Sequence, residues 1–123
     1  MEQFSCEAQL LDETLGLIAV HGEVDLATCD RIREAVETLR VQGIQRLVFD
    51  LMHVSFLDSS GVGVLVEEYR VLLMEHEGHH SLHIAATDPT VLRVLQLTGL
   101  DKVFLIHATK ADALAAATSS TPD

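Results

Sequence analysis

Short apolar runs alternate with stretches of helical periodicity along this chain, and this alternation restricts the fold more than any other feature. Strands that alternate with helices are connected by βαβ crossovers, which place the strands parallel in one sheet. The sequence therefore predicts an α/β fold with a mixed, mostly parallel sheet of about five strands and about four helices. The predicted strands span residues 4–11, 15–21, 46–51, 81–86 and 103–106. The predicted helices span residues 26–40, 60–76, 89–98 and 110–117. The third is expected to begin with Asp88 as its N-cap and Pro89 as its first residue. The first has one predicted apolar face, formed by Cys29, Ile32, Val36 and Leu39.

The chain has 123 residues, which suits a single domain. We assign residues 1–117 to that domain and expect the polar tail, 118–123, to be disordered. The first two predicted strands are separated only by Asp12-Glu13-Thr14, so we expect them to pair as a hairpin. Nearly half of the residues are apolar and tryptophan is absent, which predicts a mainly aliphatic core.

Acidic side chains dominate the charge of the chain. It carries 19 Asp and Glu residues against 8 Lys and Arg, for a formal net charge of −11. Binding to nucleic acid or to anionic lipid relies on clustered Lys and Arg, so we expect neither as a direct partner. Solubility alone explains such an acidic surface. A more specific interpretation is that the surface binds a basic protein partner. Cys6 and Cys29 form no CxxC motif, and no signal-peptide or membrane-spanning pattern occurs, so we expect a cytoplasmic protein.

The run VSFLDSSGVG, residues 54–63, follows a predicted strand and precedes a strongly periodic helix. Ser59 occupies the predicted N-cap position, where a hydroxyl can accept a hydrogen bond from a first-turn N–H, and capping alone explains a serine there. Gly61 and Gly63 each cost a helix about 0.5–1 kcal/mol relative to alanine, but they leave room for another backbone to approach Ser59. Asp58 and Ser59 also lie at the carboxyl end of a buried strand, where α/β folds place their sites.

The helix after Ser59 has two predicted faces. Residues at helical spacing form the predicted core face: Val62, Leu65, Val66, Tyr69, Leu72 and Leu73. The opposite side of the helix is predicted to carry Ser60, Val64, Glu67, Val71 and Glu75. Val64 and Val71 are therefore expected to be exposed, either as ordinary surface valines or as a stripe that binds a partner.

Three segments of the sequence together resemble one protein family. FLDSSGVG at 56–63 is similar to the signature of anti-sigma factor antagonists of the STAS group. GEVD at 22–25 matches the family's second short motif, and its Asp25 is also a candidate N-cap for the first helix. LTGLDKVF at 97–104 resembles the usual end of the family's third helix. The resemblance covers nearly the whole chain and implies a single STAS-like domain.

The resemblance also implies a regulatory cycle in which Ser59 is the phosphate acceptor. The unphosphorylated antagonist binds an anti-sigma factor and so frees a sigma factor. That anti-sigma factor is itself the serine kinase, which uses ATP to phosphorylate Ser59 and so dissociates the complex. A metal-dependent phosphatase reverses the modification. Phosphorylation adds about −1.5 to −2 charges, which a helix N-terminus tolerates and a desolvated interface does not. The expected partner-binding residues are Asp25, Asp58, Ser59, Ser60, Gly61, Gly63, Val64 and Val71.

The alternative function is a constitutive STAS scaffold or small-ligand sensing module in a larger signalling complex, with Ser59 only a helix cap. We expect no enzyme activity, because a catalytic triad needs both a base and a group that orients it, and His53 alone does not supply both. The G-x-S-x-G elbow and the P-loop pattern are also absent from the sequence.

Four histidines form a local cluster beside two glutamates. They are His76, His79, His80 and His83. On the predicted strand, His80 and His83 lie on opposite faces, so this spacing fits a solvated turn better than a metal site. We therefore expect no metal and no other cofactor.

Overall fold

The computed structural model describes residues 3–78 and 81–119 of the chain, with Ser119 described for its backbone alone. The strands are β1 Ser5–Leu10, β2 Leu15–Val24, β3 Arg46–Leu57, β4 Ser81–Ala85 and β5 Leu105–His107. The helices are α1 Cys29–Arg40, α2 Ser59–Glu75, α3 Pro89–Leu97 and α4 Lys110–Ser119. The described strands form one sheet in the order β1-β2-β3-β4-β5, in which β1 is antiparallel to β2 and the other neighbours are parallel. The predicted α/β class is confirmed, as is the hairpin.

The two faces of the sheet are covered by different helices. Consecutive side chains of a strand point to opposite faces. Leu47 and Phe49 of β3 therefore join the main core with α1, α2 and α3, whereas Val48 packs beneath α4. The smaller cluster on the α4 side consists of Leu15, Leu17, Val48, Ala85, Ala113 and Ala117. No helix in the described part of the chain is long and apolar enough to cross a membrane.

A buried arginine fixes the hairpin turn to the rest of the domain. The Asp12 carboxylate accepts hydrogen bonds from the N–H groups of Thr14 and Leu15, each at 2.8 Å, and so closes the turn. Arg46, at the start of β3, lies 3.1 Å from the same carboxylate and donates to the Ala117 carbonyl at 3.0 Å. The turn, the sheet and the end of α4 are thereby held together.

Strand β3 is longer than predicted, and it carries the first half of the conspicuous motif. It continues six residues beyond Leu51, because β2 continues beside it and pairs Gly22 with Val54 and Val24 with Leu57. Val54 and Leu57 are buried in the main core. The register shifts twice between β2 and β3 in this region. These irregularities break the alternation of apolar and polar residues, which is why periodicity alone ended the strand early.

Helix α1 begins at Cys29 rather than at Leu26, and Asp25 is not its N-cap. The Asp25 carboxylate instead accepts from the N–H groups of Ala27 and Thr28, at 3.0 and 3.2 Å, and closes a turn before the helix. Thr28 occupies the N-cap position without a side-chain capping bond. The prediction was wrong because Asp forms such local turns as readily as it caps helices. The predicted apolar face of α1 is confirmed.

Two predictions near the end of the chain also need adjustment. Asp88 caps α3 and Pro89 is its first residue, as predicted. Gly99 then adopts a positive φ of 76°, and a short 3₁₀ turn at Leu100–Lys102 delays β5 until Leu105. Helix α4 continues to Ser119, so the expectation of a disordered tail was wrong for Thr118 and Ser119, and residues 120–123 lie outside the described residues.

Candidate functional site

Ser59 is the first residue of α2 and directly follows the loop that ends β3. Asp58, not Ser59, is the N-cap: its backbone is extended, and its Oδ1 accepts from the N–H groups of Ser60 at 2.9 Å and Gly61 at 3.1 Å. The predicted capping role of Ser59 was therefore wrong by one position. The Ser59 side chain is exposed, and its hydroxyl forms no hydrogen bond within the described residues. A free hydroxyl thus stands at a helix end that another side chain has already capped.

The loops that carry Asp25 and Asp58 lie side by side, at the carboxyl ends of the neighbouring parallel strands β2 and β3. The Asp58 N–H donates to the Val24 carbonyl at 3.2 Å, which joins the end of β2 to the start of α2. Thr28 donates its hydroxyl to the Glu23 carbonyl at 3.0 Å and so braces the first loop. Burial raises the pKa of the Cys29 thiol, and the charges of Asp58 and Asp25 raise it further while Arg33 opposes them.

The two glycines of the motif have different roles, although the sequence suggested one role for both. A Cβ atom at Gly61 would lie 2.3 Å from Leu57 Cδ1 and 2.8 Å from Val24 Cγ1. Gly61 therefore lets α2 pack against the ends of β2 and β3, and it does not face a partner. A Cβ atom at Gly63 would meet no described atom within 4 Å. Of the two glycines, only Gly63 leaves open space on the surface beside Ser59, as predicted.

Helix α2 is rotated from its predicted orientation by about 90°. Val64, predicted to be exposed, is only 1% exposed and lies in the main core, so its assignment to a partner surface was wrong. Val71 is half-buried, and Leu73, predicted for the core, is exposed. Apolar residues occur on nearly every side of this helix, so periodicity defines its buried face weakly. The centre of that face is Glu68, a residue type that sequence reasoning places in solvent.

The true outer face of α2 forms an open groove of about 530 Å³ that begins at Ser59; we call it the acceptor groove. Met74, at its far end, is 82% exposed. The groove is lined by Ser59, Val62, Gly63, Val66, Glu67, Arg70, Val71 and Met74. Sequence reasoning missed Met74 and Arg70. It placed Val62 and Val66 in the core, and both are half-buried: they pack against the main core and also line this groove. Counting helical spacings of three, four and seven from Ser59 itself would have found Val62, Gly63 and Val66.

No positive charge lies in the two loops around Ser59. Segments 22–28 and 55–63 contain no Lys or Arg, whereas they contain Asp25 and Asp58. Arg70, the arginine of the acceptor groove, is three helical turns away from Ser59, or about 16 Å along the axis. A phosphate on Ser59 would therefore meet the like charges of these two loops and no Lys or Arg within them.

The histidine cluster is only partly described, because His79 and His80 lie outside the described residues. His83 is fully buried in β4, and its Nδ1 lies 3.0 Å from Nε2 of His107 on β5. Burial, followed by the neighbouring His107, lowers the pKa of His83. Within residues 3–78 and 81–119, no three potential ligand side chains come together to hold a metal ion.

A small α/β domain with an exposed serine hydroxyl at a capped helix end, beside a partly apolar groove, has the features of a protein-binding regulatory module. Comparison with known families agrees with this class. The STAS domain model matches residues 7–113, so the chain belongs to the STAS domain family. The resemblance found in the sequence is confirmed.

Its relatives within this family are anti-sigma factor antagonists. The anti-sigma-B factor antagonist of Listeria monocytogenes is 32% identical over 89 residues, which cover 72% of this chain and 75% of the relative. A crystal structure of an anti-sigma factor antagonist from Mycobacterium paratuberculosis is 30% identical, with a TM-score of 0.82 over 94% of this chain and 95% of the other. The Bacillus cell fate determinant SpoIIAA, solved in its phosphorylated form, is 25% identical with a TM-score of 0.71 over 91% and 98% of the two chains. These names describe regulatory binding proteins rather than enzymes.

Proposed function

We propose that this chain is an anti-sigma factor antagonist that binds an anti-sigma factor when unphosphorylated and is switched off by phosphorylation of Ser59. In this proposal the anti-sigma factor is also the serine kinase, and its capture by the antagonist frees a sigma factor. A metal-dependent phosphatase then removes the phosphate and restores binding. The observation that carries the proposal is the division of roles at the start of α2, where Asp58 caps the helix and leaves the Ser59 hydroxyl exposed.

This division makes Ser59 a suitable acceptor. Its oxygen attacks the γ-phosphorus of ATP, its proton passes to a base or to solvent, and ADP leaves. Because no backbone hydrogen bond depends on the Ser59 oxygen, the modification removes no cap from α2. Ser60 is less suitable, since it is half-buried and its N–H is bonded to the cap.

The charge around Ser59 supports release of the partner. A phosphate would stand beside Asp58, in a loop that adjoins Asp25, with no Lys or Arg in either loop. In solvent that charge is hydrated and meets the positive end of the helix dipole. Against a partner's surface it would lose its water without gaining a cation from either loop, which costs several kcal/mol of binding. Each 1.4 kcal/mol is a tenfold loss of affinity.

The alternative of a constitutive scaffold or small-ligand sensor assumed that Ser59 only caps the helix. Asp58 performs that role, so the assumption does not hold. The surface beside Ser59 is an open groove rather than an enclosed cavity, which suits a protein surface better than a small ligand.

The test is phosphorylation by candidate anti-sigma factor kinases of the same organism in the presence of ATP, followed by intact mass and phosphopeptide mapping. We expect one phosphoryl group on the wild type and on Ser60→Ala, and none on Ser59→Ala. The phosphorylated protein should also lose its affinity for the kinase in titration calorimetry. Phosphate on Ser59→Ala, or undiminished binding by the phosphorylated protein, would contradict the proposal.

A further inference from the structure

A second groove lies between α1 and α2, behind the acceptor groove, with a volume of about 470 Å³; we call it the interhelical groove. It is lined by Arg33, Glu34, Glu37, Arg40, Glu67, Glu68 and Val71. Four carboxyl groups therefore face two guanidinium groups. The function proposed above uses none of these carboxyl groups.

Both arginines of the interhelical groove are already paired twice. Arg33 contacts Asp30 at 2.9 Å on its own helix and Glu67 at 2.8 Å on α2. Arg40 likewise pairs with Glu37 on α1 and, at 2.9 Å, with Glu75 on α2. These bridges tie the two helices together at two points. They also leave no free cation for the remaining carboxyl groups of the groove.

Glu68 lies between these two bridges and is the unusual member of the set. Only 7% of it is exposed, its side chain lines the groove, and its carboxyl group forms no hydrogen bond or ion pair within the described residues. Burial, followed by the charge of Glu67, raises the pKa of Glu68 to about 7. Buried acids are normally paired or hydrogen-bonded. An unpaired one that faces an open groove therefore marks a place for an external cation.

We propose that the interhelical groove receives a basic side chain, arginine or lysine, of the anti-sigma factor, and that this side chain pairs with Glu68. The inference rests on the function proposed above, because that partner supplies the cation. Glu67 and Val71 line both grooves, so a protein docked on the acceptor groove lies within reach of this one. The strongly acidic composition of the chain favours a basic partner surface. Among the described residues no cluster suits a metal ion, which favours an organic cation.

Such pairing couples partner binding to the protonation of Glu68. A cation beside the carboxyl group favours its charged form and lowers its pKa. The groups that already face Glu68 are Arg33, Glu34, Glu37 and Arg40 from α1, with Glu67 and Glu75 on its own helix. Binding of the partner near neutral pH therefore releases a proton from Glu68, and affinity rises as pH increases through 7.

The experiment is titration calorimetry of the unphosphorylated protein with its anti-sigma factor, in two buffers of different ionisation heat, between pH 6 and pH 9. The variants are Glu68→Gln, which has the shape of the protonated acid, and the control Glu7→Gln, an exposed position on β1. We expect Glu68→Gln to bind at least tenfold more weakly at pH 8 and to release fewer protons near pH 7 than the wild type and the control. Comparing variants cancels titration of the partner's own groups.

Equal affinity and equal proton release for Glu68→Gln and wild type would overturn this inference and leave the proposed function standing. Absence of any wild-type binding would overturn both. A second measurement needs no variant: carbon NMR of the Glu68 carboxyl group, with and without the partner. A titration midpoint near 7 that falls when the partner binds supports the inference, and a midpoint unchanged by the partner refutes it.

Discussion

The Asp58 carboxylate accepts hydrogen bonds from the N–H groups of Ser60 and Gly61, and the hydroxyl of Ser59, the residue next to Asp58, is left exposed. One residue thus stabilises the start of α2 while its neighbour remains free for chemistry. In a helix whose only cap was the acceptor serine, phosphorylation would alter the fold and the binding surface together. Here the cap and the acceptor are different residues, so phosphorylation can change the binding surface without changing the fold.

The first prediction tests this separation. Asp58→Ala removes the cap and should lower the free energy of unfolding by about 1 kcal/mol, within the range of 0.5–2 measured for N-caps. Ser59→Ala should stay within about 0.5 kcal/mol of wild type, because exposed substitutions usually do. The measurement is urea unfolding followed by circular dichroism. Asp58→Asn is the matched control, since asparagine caps as well as aspartate. A larger loss from Ser59→Ala than from Asp58→Ala would reverse the assignment of the cap.

The second prediction concerns the glycines. Gly61→Ala places a Cβ atom 2.3 Å from Leu57 and 2.8 Å from Val24, so it should destabilise the protein by about 1–3 kcal/mol, as overpacking does. Gly63→Ala meets no described atom within 4 Å and should stabilise α2 by about 0.5–1 kcal/mol. Thermal unfolding of the two variants checks the contrast. Equal effects on stability would show that Gly61 does not pack as closely against Leu57 and Val24 as described.

The third prediction concerns the rotation of α2. Val64→Asp buries an unpaired carboxyl group in the main core and should cost about 3 kcal/mol or more, a large part of the roughly 5–15 kcal/mol that stabilises a folded domain. Met74→Asp, on the outer face, should change stability by less than about 0.5 kcal/mol. Chemical unfolding measures both.

Met74→Asp also tests the acceptor groove as a docking surface. Docking would bury the exposed Met74 side chain, and a charge there would weaken partner binding by about tenfold or more. Leu97→Asp, an exposed apolar position on α3, is the matched control. If both variants bind the anti-sigma factor like wild type, recognition rests on the loops around Asp25 and Asp58 instead.

The difference between predicted and observed α2 shows where sequence reasoning ends. Strand and helix alternation, the Asp88-Pro89 start of α3 and the apolar face of α1 follow from local chemistry, and all were predicted. The orientation of α2 does not, because its apolar residues surround the helix and tertiary packing chooses among them. The orientation of α2 depends on Gly61, because only a residue without a Cβ atom can face the sheet this close to Leu57 and Val24. Burial of Glu68 is the consequence, and no local pattern indicates it.

The last prediction concerns how much folding stability the burial of Glu68 costs. An ordinary Glu in an unfolded chain has a pKa of about 4.3, whereas burial raises the pKa of Glu68 to about 7. Between these values the unfolded state loses the proton before the folded state does. The folded protein is therefore destabilised as pH rises from about 4.5 to 7, and the loss is complete above 7. At pH well below about 4 both states hold the proton and Glu68 costs nothing electrostatically.

Glu68→Gln removes this titration and keeps the shape of the side chain. We expect it to unfold with a free energy close to that of wild type at pH 4.5 and to be more stable than wild type at pH 8, by on the order of 3 kcal/mol. Urea unfolding at five pH values between 4.5 and 8 measures the difference between the two proteins, in which the other titrating groups cancel. Glu7→Gln, exposed on β1, should show a difference that does not grow with pH. If the difference between Glu68→Gln and wild type also does not grow with pH, the Glu68 carboxyl group is already hydrated or paired in the folded protein. The interhelical groove then holds no unpaired acid that could bind a cation.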